Sequence, residues 1–210
     1  MMQIRIIGII AVIGFFVVAC ESKSSDKPLP IIGRLEIVDG DTIHHTIPDF
    51  EFINQDSQLV TNQELTEYIY ISDFFFTSCP SICPIVKKQM LRIYDKYKSN
   101  SMVKLVSHTI DPKRDTADKL KRYAADLGVD TGKWVFLTGD KESLLDIADA
   151  YFVAAYEDPD APGGFDHSGK IILVDTKHQV RSFAEGTDPE DVDRFLKDID
   201  KLLHEYDSKS

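Results

Sequence analysis

A run of nine mostly apolar residues, YIYISDFFF at positions 68–76, most constrains what this chain can fold into. An apolar run of this kind is typical of a buried strand, and only Ser72 and Asp73 interrupt it. Directly after it the pattern changes, because apolar residues recur three and four positions apart from Ile82 to Tyr97. This periodicity predicts an amphipathic helix of about four turns. A buried strand that leads straight into such a helix indicates an α/β fold.

The same alternation of strand and helix continues to the end of the chain. Further strands are predicted at residues 103–110, 134–139, 170–175 and 180–186. Further helices are predicted from Asp115 or Thr116 to Gly128, from Asp140 to Tyr151 and from Asp188 to about Tyr206. Residues 31–63 show the alternation and turn signals of short strands. We therefore expect a mixed central sheet flanked by helices, with an N-terminal β-strand extension.

The first nineteen residues carry one positive charge, an apolar run and a small residue, Ala19, immediately before Cys20. This order is typical of a secretory signal peptide. The VVAC end resembles the lipobox of bacterial lipoproteins, so Cys20 is predicted to be lipidated; an uncleaved membrane anchor is the alternative. Residues 20–30 are then a polar, flexible tether. We expect an exported, membrane-anchored lipoprotein that faces the periplasm or another extracytoplasmic space, with inner versus outer membrane undecided.

The remaining residues, 31–210, are numerous enough for one domain with a proper hydrophobic core. The formal net charge of -11 argues against nucleic acid or an anionic membrane surface as a partner. Apart from Cys20, only Cys79 and Cys83 carry thiols, and two such cysteines in an oxidising compartment usually pair. A bridge between these two positions closes a very short loop and stabilises little, so a purely structural disulfide explains the pair poorly.

The helix after the apolar run is predicted to start near Pro80 or Ser81, which would put Cys79 at its N-terminus and Cys83 one turn further on the same face. The positive end of the helix dipole would lower the pKa of both thiols. Such a pair suits two chemistries. Thiol–disulfide exchange needs an attacking and a resolving thiol, although its usual spacing is C-x-x-C. Binding of copper or zinc needs at least one further donor, which is typically a histidine.

Six histidines are available as that donor. His167 is the leading candidate, because it ends a glycine-containing loop immediately before a strand and is therefore held near the edge of the sheet. His108 ends the strand at 103–110, near the same edge, and is an accessory candidate. The other four are expected in structural or solvated roles: His44 and His45 are adjacent in a strand, His178 lies in a tight turn, and His204 lies late in a helix.

Three separated motifs, taken in order along the chain, are similar to those of the SCO/SenC family. They are FFFTSCPSICP (74–84), SHTIDPKRDT (107–116) and FDHSGKIILVD (165–175), and the similarity covers roughly residues 45–205. Members of this family are exported thioredoxin-fold proteins involved in copper delivery to cytochrome c oxidase. The resemblance therefore implies a thioredoxin-like fold for this chain.

The resemblance also implies a set of ligands. Cys79, Cys83 and His167 match the family positions that bind copper, as Cu(I) and/or Cu(II), and Asp111 matches a position close to the site. Two thiolates and an imidazole also suit copper on chemical grounds. His108 stands where many relatives have a non-ligating residue. It and the histidine pair near the N-terminus therefore remain alternative or transient nitrogen donors.

The function that the resemblance implies is that of a membrane-tethered metallochaperone, which need not be an enzyme. Its expected partners are the copper-bearing subunit of cytochrome c oxidase with its binuclear copper centre, a copper donor protein or thiol-disulfide reductant, and the membrane that holds the lipid. Oxidation of Cys79 and Cys83 would release the metal, because only thiolates bind it. Two alternatives remain open: a thiol-disulfide reductase in which Cys79 attacks and Cys83 resolves, and a sensor of copper or redox state.

Overall fold

The computed structural model of the protein describes residues 27–208. The predicted signal peptide, Cys20 and most of the predicted tether lie outside the described residues. Within residues 27–208, no helix combines the length and the apolar content that crossing a membrane requires.

Strands and helices alternate along the described chain. The strands are β1 (Leu35–Val38), β2 (Asp41–His44), β3 (Glu51–Asn54), β4 (Leu59–Thr61), β5 (Ile69–Phe75), β6 (Val103–Thr109), β7 (Trp134–Thr138), β8 (Ala155–Glu157), β9 (Phe165–His167), β10 (Lys170–Val174) and β11 (Val180–Glu185). The helices are α1 (Cys83–Tyr97), α2 (Ala117–Leu127), α3 (Lys141–Ala150) and α4 (Pro189–Asp207), with a short 3-10 helix at Asn62–Leu65. The strands and helices predicted after residue 68 are confirmed, although their ends shift by a few residues.

Seven of the strands form a mixed central sheet in the order β11-β10-β5-β6-β7-β3-β4. β5, β6 and β7 run parallel, and the other neighbours in the sheet pair antiparallel. The pairing of β5 with β6 extends from Ile69↔Val103 to Phe75↔Thr109, so the two strands end side by side. β1 with β2 and β8 with β9 form two separate antiparallel hairpins. The expected mixed sheet with an N-terminal β extension is thus observed.

The helices begin and end where local chemistry favours it. In α1, buried residues from Val86 to Ile93 recur at the three- and four-residue spacing that covers one face of a helix. α2 ends at Gly128, whose φ of 68° is a left-handed conformation that glycine adopts without steric cost. The Asp188 carboxylate accepts hydrogen bonds from the first amides of α4. The end of α2 and the start of α4 agree with the predicted helix boundaries.

Successive side chains of β5 and β6 point to opposite faces of the sheet. Asp73 and its cross-strand neighbour Ser107 lie on the face that α1 covers, where they line a small cavity with the first turn of that helix. Phe74 and its neighbour His108 lie on the other face, where both rings contact Tyr151 at the end of α3. The two faces of the sheet therefore contain separate buried environments.

A buried arginine ties the N-terminal segment to an edge of the sheet. The Arg181 guanidinium donates to the carboxylates of Asp175 and Glu205, at 3.0 Å each, and to the main-chain oxygens of Leu29 and Pro30. Its side chain is 9% exposed, so water screens both ion pairs only weakly. A buried charge of this kind is tolerated because it is paired with two carboxylates and each of its three nitrogen atoms donates a hydrogen bond.

We expect Arg181→Ala to lower the free energy of unfolding by about 3–5 kcal/mol, because it leaves two largely buried carboxylates without their partner. Arg92→Ala is the matched control, since Arg92 pairs with Asp193 at an exposed position and its loss should cost less than about 1 kcal/mol. Urea denaturation followed by circular dichroism measures both variants. Equal losses would contradict a stabilising role for the buried ion pairs.

Candidate metal centre

Three side chains that can bind a metal converge where β5 leads into α1. Cys79 lies in the loop after β5, Cys83 is the first residue of α1, and His167 is the last residue of β9. Their ligand atoms all lie within 4.8 Å of one another, and all three residues are buried. The Cys83 Sγ atom is 3.4 Å from the His167 Nε2 atom. The fold thus brings together the three residues that the sequence predicts as ligands.

The chain turns sharply between β5 and α1. The Cys79 amide donates to the carbonyl oxygen of Phe76 at 3.2 Å, which closes a turn before the helix begins. α1 begins only at Cys83, and Pro84 follows in its first turn, where a missing amide hydrogen costs little. The predicted helix start near Pro80 is therefore wrong, because residues 80–82 form a bend between this turn and the helix. Cys79 consequently precedes the helix instead of forming its first residue.

The two thiols differ in acidity. Burial raises the pKa of the Cys83 thiol, and its hydrogen bond with the Cys79 sulfur raises it further. Burial also opposes the ionisation of Cys79, but hydrogen bonds from Cys83 and Ser81 outweigh it and lower the pKa of Cys79. The prediction that the pKa of both thiols is lowered is therefore wrong for Cys83, whose sulfur is the more deeply buried.

The ring of His167 has a defined tautomer. Its Nδ1 atom lies 3.2 Å from the carbonyl oxygen of Ser168, which can only accept, so Nδ1 carries the hydrogen. Burial lowers the pKa of His167, which favours the neutral ring. The Nε2 atom that faces Cys83 therefore has a lone pair that can accept from the thiol or bind a metal.

The donor set fits copper. Two donor atoms on one ion are separated by at most about twice a metal–ligand distance, roughly 4–4.6 Å for sulfur and nitrogen donors. The three ligand atoms of this site, which lie within 4.8 Å of one another, come close to that limit. Two sulfur atoms and an imidazole suit Cu(I), and they leave room for a weak further ligand on Cu(II).

Asp111, which the resemblance assigns to a position close to the site, acts through an arginine. Its buried carboxylate pairs with the Nε atom of Arg114. The Nη2 atom of Arg114 donates to the carbonyl oxygen of Gly163 at 2.7 Å, in the loop that leads into β9 and His167. Asp111 is therefore linked to the segment that carries the imidazole, and not to the imidazole itself.

A second carboxylate, Asp115, fixes the loop that carries Cys79. It is fully buried and accepts from the amide and the hydroxyl of Thr77, at 2.9 and 2.5 Å, and from the hydroxyl of Thr109 at 2.7 Å. The sequence predicts a helix cap at Asp115 or Thr116, and the capping position is Thr116. Sequence reasoning misses the role of Asp115. The signal that identifies it is its place just after β6, at the sheet edge where ligands tend to bind.

A third buried carboxylate near the site is that of Asp73 in β5. It lines a small cavity with Cys83 and His167 and accepts a hydrogen bond from Ser107, whose oxygen in turn accepts from the Trp134 indole at 2.8 Å. Burial raises the pKa of Asp73 to about 7. In the sequence Asp73 only interrupts an apolar run. Burying a carboxylate is costly, so an aspartate inside a strand that is predicted to be buried is the sequence signal that points to Asp73.

His108 lies away from the three donors. It is fully buried on the opposite face of the sheet, where it stacks on Phe74 with ring centroids 4.9 Å apart. Burial lowers its pKa to about 3, so the ring is neutral. The end of β6 does reach the predicted edge, but the alternation of side chains sends this imidazole to the face that does not carry the thiols.

The other four histidines are also absent from the group of donors among the described residues. His45 donates from Nε2 to the main-chain oxygen of Ala150 at 2.8 Å, and so binds the N-terminal extension to α3. His44 ends β2 beside it. His178 occupies the predicted turn between β10 and β11 with a φ of 59°, and His204 is exposed on α4.

The sequence matches a family model described as SCO1/SenC over residues 39–204. It is similar to the SCO1 protein homolog of Bacillus subtilis, with 28% identity over 161 residues that cover 76% of this chain and 83% of the relative. It is also similar to a protein of Stutzerimonas stutzeri described as copper-binding, with 32% identity over 140 residues that cover 64% of this chain and 67% of the relative.

Solved structures share the fold. A SCO1/SenC family lipoprotein from Bacillus anthracis aligns with a TM-score of 0.69 at 24% identity, covering 75% of this chain and 95% of that one. Copper-bound ScoI from Arabidopsis thaliana gives 0.64 at 29% identity, covering 76% and 98%. BsSco, described as having a disulfide switch and as a member of a family of cytochrome c oxidase assembly proteins, gives 0.65 at 28%, covering 75% and 93%. The expected thioredoxin-like fold is confirmed by this likeness.

We expect iodoacetamide to alkylate Cys79 at least about 10-fold faster than Cys83 in the reduced, metal-free protein at neutral pH, because only the thiolate reacts and only the pKa of Cys79 is lowered. Tandem mass spectrometry of the peptide that contains both residues measures the two rates. In the urea-unfolded protein the rates should converge. Equal rates in the folded protein would contradict the difference in acidity.

We expect Asp73 to make the protein less stable as the pH rises from about 4 to about 7. The unfolded carboxyl ionises near pH 4 and the folded one near pH 7, so the folded state binds one more proton in this interval. Asp73→Asn should remove this effect, which is of order 4 kcal/mol. Urea denaturation of both proteins at pH 4.5 and pH 8 measures it. If the unaltered protein and Asp73→Asn differed in unfolding free energy by the same amount at pH 4.5 and at pH 8, the role of the buried carboxyl would be contradicted.

Proposed function

The chain belongs to the SCO1/SenC family, and we propose that it is a metallochaperone that binds copper through Cys79, Cys83 and His167 and delivers it to the binuclear copper centre of cytochrome c oxidase. The observation that carries the proposal is the convergence of two thiols and an imidazole nitrogen within 4.8 Å of one another in a buried site. Copper is the cargo of this activity. The role is one of binding and transfer and needs no catalytic residue.

Two relatives support copper as the metal. The Stutzerimonas protein is described as copper-binding, and the Arabidopsis structure contains copper. All three donors of this chain lie within residues 39–204, which the family model matches. The donor chemistry leads to the same metal independently, since thiolates and imidazole together suit copper.

The difference between the thiols sets the order of copper loading. Cys79, whose pKa is lowered, offers the thiolate that meets Cu(I) first. Cys83 holds its proton more tightly and gives it up when the metal replaces it, because only a thiolate binds the ion. His167 has a free lone pair at Nε2 and loses no proton. Loading therefore releases protons, and the affinity for copper falls as the pH falls.

The same thiols offer a way to release the metal. Ligands of the oxidase subunit replace the three donors by exchange, and Cys83, whose pKa is raised, takes up its proton again. Oxidation of Cys79 and Cys83 to a disulfide passes two electrons to an oxidant and removes both sulfur donors together. A thiol-disulfide reductant is then needed before copper can be loaded again. The description of BsSco as having a disulfide switch supports this part of the proposal.

In this proposal the protein works outside the cytoplasm, anchored by a lipid on Cys20. The Bacillus anthracis relative, described as a lipoprotein, supports such an anchor. The residues between Cys20 and Leu29, whose carbonyl oxygen Arg181 binds, would let the domain move up to about 30 Å from the membrane surface, at roughly 3.5 Å per extended residue. That reach suits a carrier that must meet a copper donor protein and then a membrane-bound oxidase subunit.

One observation favours a second function, that of a thiol-disulfide reductase. A lowered pKa at Cys79 and a raised pKa at Cys83 are what an attacking thiol and a resolving thiol require. The short contact between Cys83 and His167 argues for the metal site instead, because exchange between two thiols does not need a third donor. Turnover of a disulfide substrate by metal-free protein that is unchanged by His167→Ala would favour the reductase.

We expect the reduced protein to bind one Cu(I) ion tightly, and His167→Ala to weaken binding by about 100-fold or more. Loss of a residue that merely orients a ligand already costs about 10- to 100-fold, and loss of the ligand itself should reach the upper end of that range. Anaerobic titration against a chromogenic Cu(I) chelator measures the affinity.

His204→Ala is the matched control, because His204 is an exposed histidine on α4. It should bind copper as the unaltered protein does. An affinity of the His167→Ala variant equal to that of the control would remove His167 from the ligand set. Absence of tight binding in the unaltered protein would overturn the metallochaperone function and favour thiol-disulfide chemistry.

A further inference from the structure

The donors of the site come from two segments, and the central sheet joins them only through β5 and β10. Both cysteines lie on the connection between β5 and α1, within the core of the domain. His167 ends the hairpin formed by β8 and β9, which pairs only with itself and not with the seven-stranded sheet. β10, which begins at Lys170 and pairs with β5, holds the hairpin on its C-terminal side. The position of the hairpin loop that precedes His167 depends on contacts outside the sheet.

The loop after β6 contacts both segments through adjacent residues. On one side, the Asp115 carboxylate accepts two hydrogen bonds from Thr77, two residues before Cys79. On the other side, the Arg114 guanidinium donates to the carbonyl oxygen of Gly163 in the hairpin loop. The two segments that carry the donors are thus held by neighbouring positions of a single short loop.

The geometry of Arg114 depends on Asp111. The Asp111 carboxylate is 5% exposed and pairs with Nε of Arg114, so the guanidinium is held at one end while its Nη2 atom reaches Gly163. The guanidinium carbon also lies 6.0 Å from the ring centroid of Phe165 in β9. One side chain therefore makes a polar contact and a ring contact with the hairpin.

The hairpin loop sits directly against the thiol segment at the point that Arg114 holds. Gly163 has a φ of 89°, and a β-carbon at this position would lie 2.6 Å from the Phe76 ring. Only glycine allows this approach. Phe76 in turn contacts the rings of Phe165 and His167, at centroid distances of 5.4 and 5.7 Å. A shift of the loop at Gly163 would therefore be passed on to the imidazole.

We propose that Arg114 is a positioning residue, which bridges the Asp111 carboxylate and the Gly163 carbonyl and thereby sets the distance between His167 and the two thiols. Its effect on copper rests on the proposed function, whereas its effect on the hairpin does not. Arg114 is not a ligand, because a guanidinium offers only hydrogen-bond donors. Its role depends on the forked shape of its side chain as well as on its charge.

The test compares Arg114→Lys with Arg122→Lys in the reduced protein. The lysine at position 114 keeps the positive charge near the site but cannot hold the carboxylate and the carbonyl together. Arg122 is an exposed arginine on α2 and serves as the control. Amide hydrogen exchange of the metal-free proteins reports on the hairpin, where the amides of Asp158 and Gly164 donate within the loop. Chelator competition reports on Cu(I) affinity.

We expect Arg114→Lys to speed exchange in residues 155–167 and to weaken Cu(I) binding by about 10- to 100-fold, while Arg122→Lys changes neither. Alkylation of Cys79 should keep its rate, because Asp115 still holds Thr77. In a His167→Ala background, Arg114→Lys should cause no further loss of affinity, because its effect passes through His167.

Three results would overturn the proposal. Unchanged hairpin exchange in Arg114→Lys would show that the arginine does not hold the hairpin, whether or not the protein binds copper. Faster exchange with unchanged Cu(I) affinity would show that the hairpin position does not matter to the site. If Arg114→Lys weakened Cu(I) binding as much in the His167→Ala background as in the unaltered protein, Arg114 would act by a route other than His167. Failure of the proposed function is distinguishable from all three, since the unaltered protein itself would then lack tight copper binding.

Discussion

The parallel pairing of β5 with β6 is the constraint on which the site depends. The two strands stay in register from Ile69↔Val103 to Phe75↔Thr109, so they end at the same edge of the sheet and send their following loops out side by side. One loop carries Cys79 and the other carries Asp115, whose carboxylate accepts the amide and hydroxyl of Thr77. The position of Cys79 thus depends on the pairing of β5 with β6 and on the hydrogen bonds between Thr77 and Asp115.

Burial and hydrogen bonding then give chemically identical groups different pKa values. Two identical thiols four positions apart acquire opposite pKa shifts, because Cys83 is shielded by the helix and the sheet whereas Cys79 gains hydrogen bonds from its neighbours. The same shielding keeps the His167 ring neutral and leaves Asp73 largely protonated at mildly acidic pH. At mildly acidic pH, Cys83, His167 and Asp73 therefore carry little charge.

The sequence predicts the strands of the central sheet after residue 68, most helix boundaries and the three converging donors, because apolar periodicity and compact motifs encode them locally. It does not predict β8 and β9, whose residues read as a loop that ends at His167. It does not predict the later start of α1, which depends on the turn closed by the Cys79 amide. It puts His108 at the correct sheet edge, but the alternation of side chains along β6 turns the ring to the other face. The roles of Arg114 and Asp115 are also hidden, because their partners lie 49 and 38 residues away along the chain.

The separation of the β8–β9 hairpin from the central sheet has a consequence for how such a protein can diverge. The loop between these two strands, residues 158–164, can change in length or composition without breaking a hydrogen bond of the seven-stranded sheet. Its strict local demands are two glycines at positive φ: Gly163, which lies against Phe76, and Gly164. The loop in front of the imidazole donor can therefore vary, whereas His167 and the thiol donors are buried in the domain. The length and composition of this loop can diverge while the stability of the domain is conserved in the sheet.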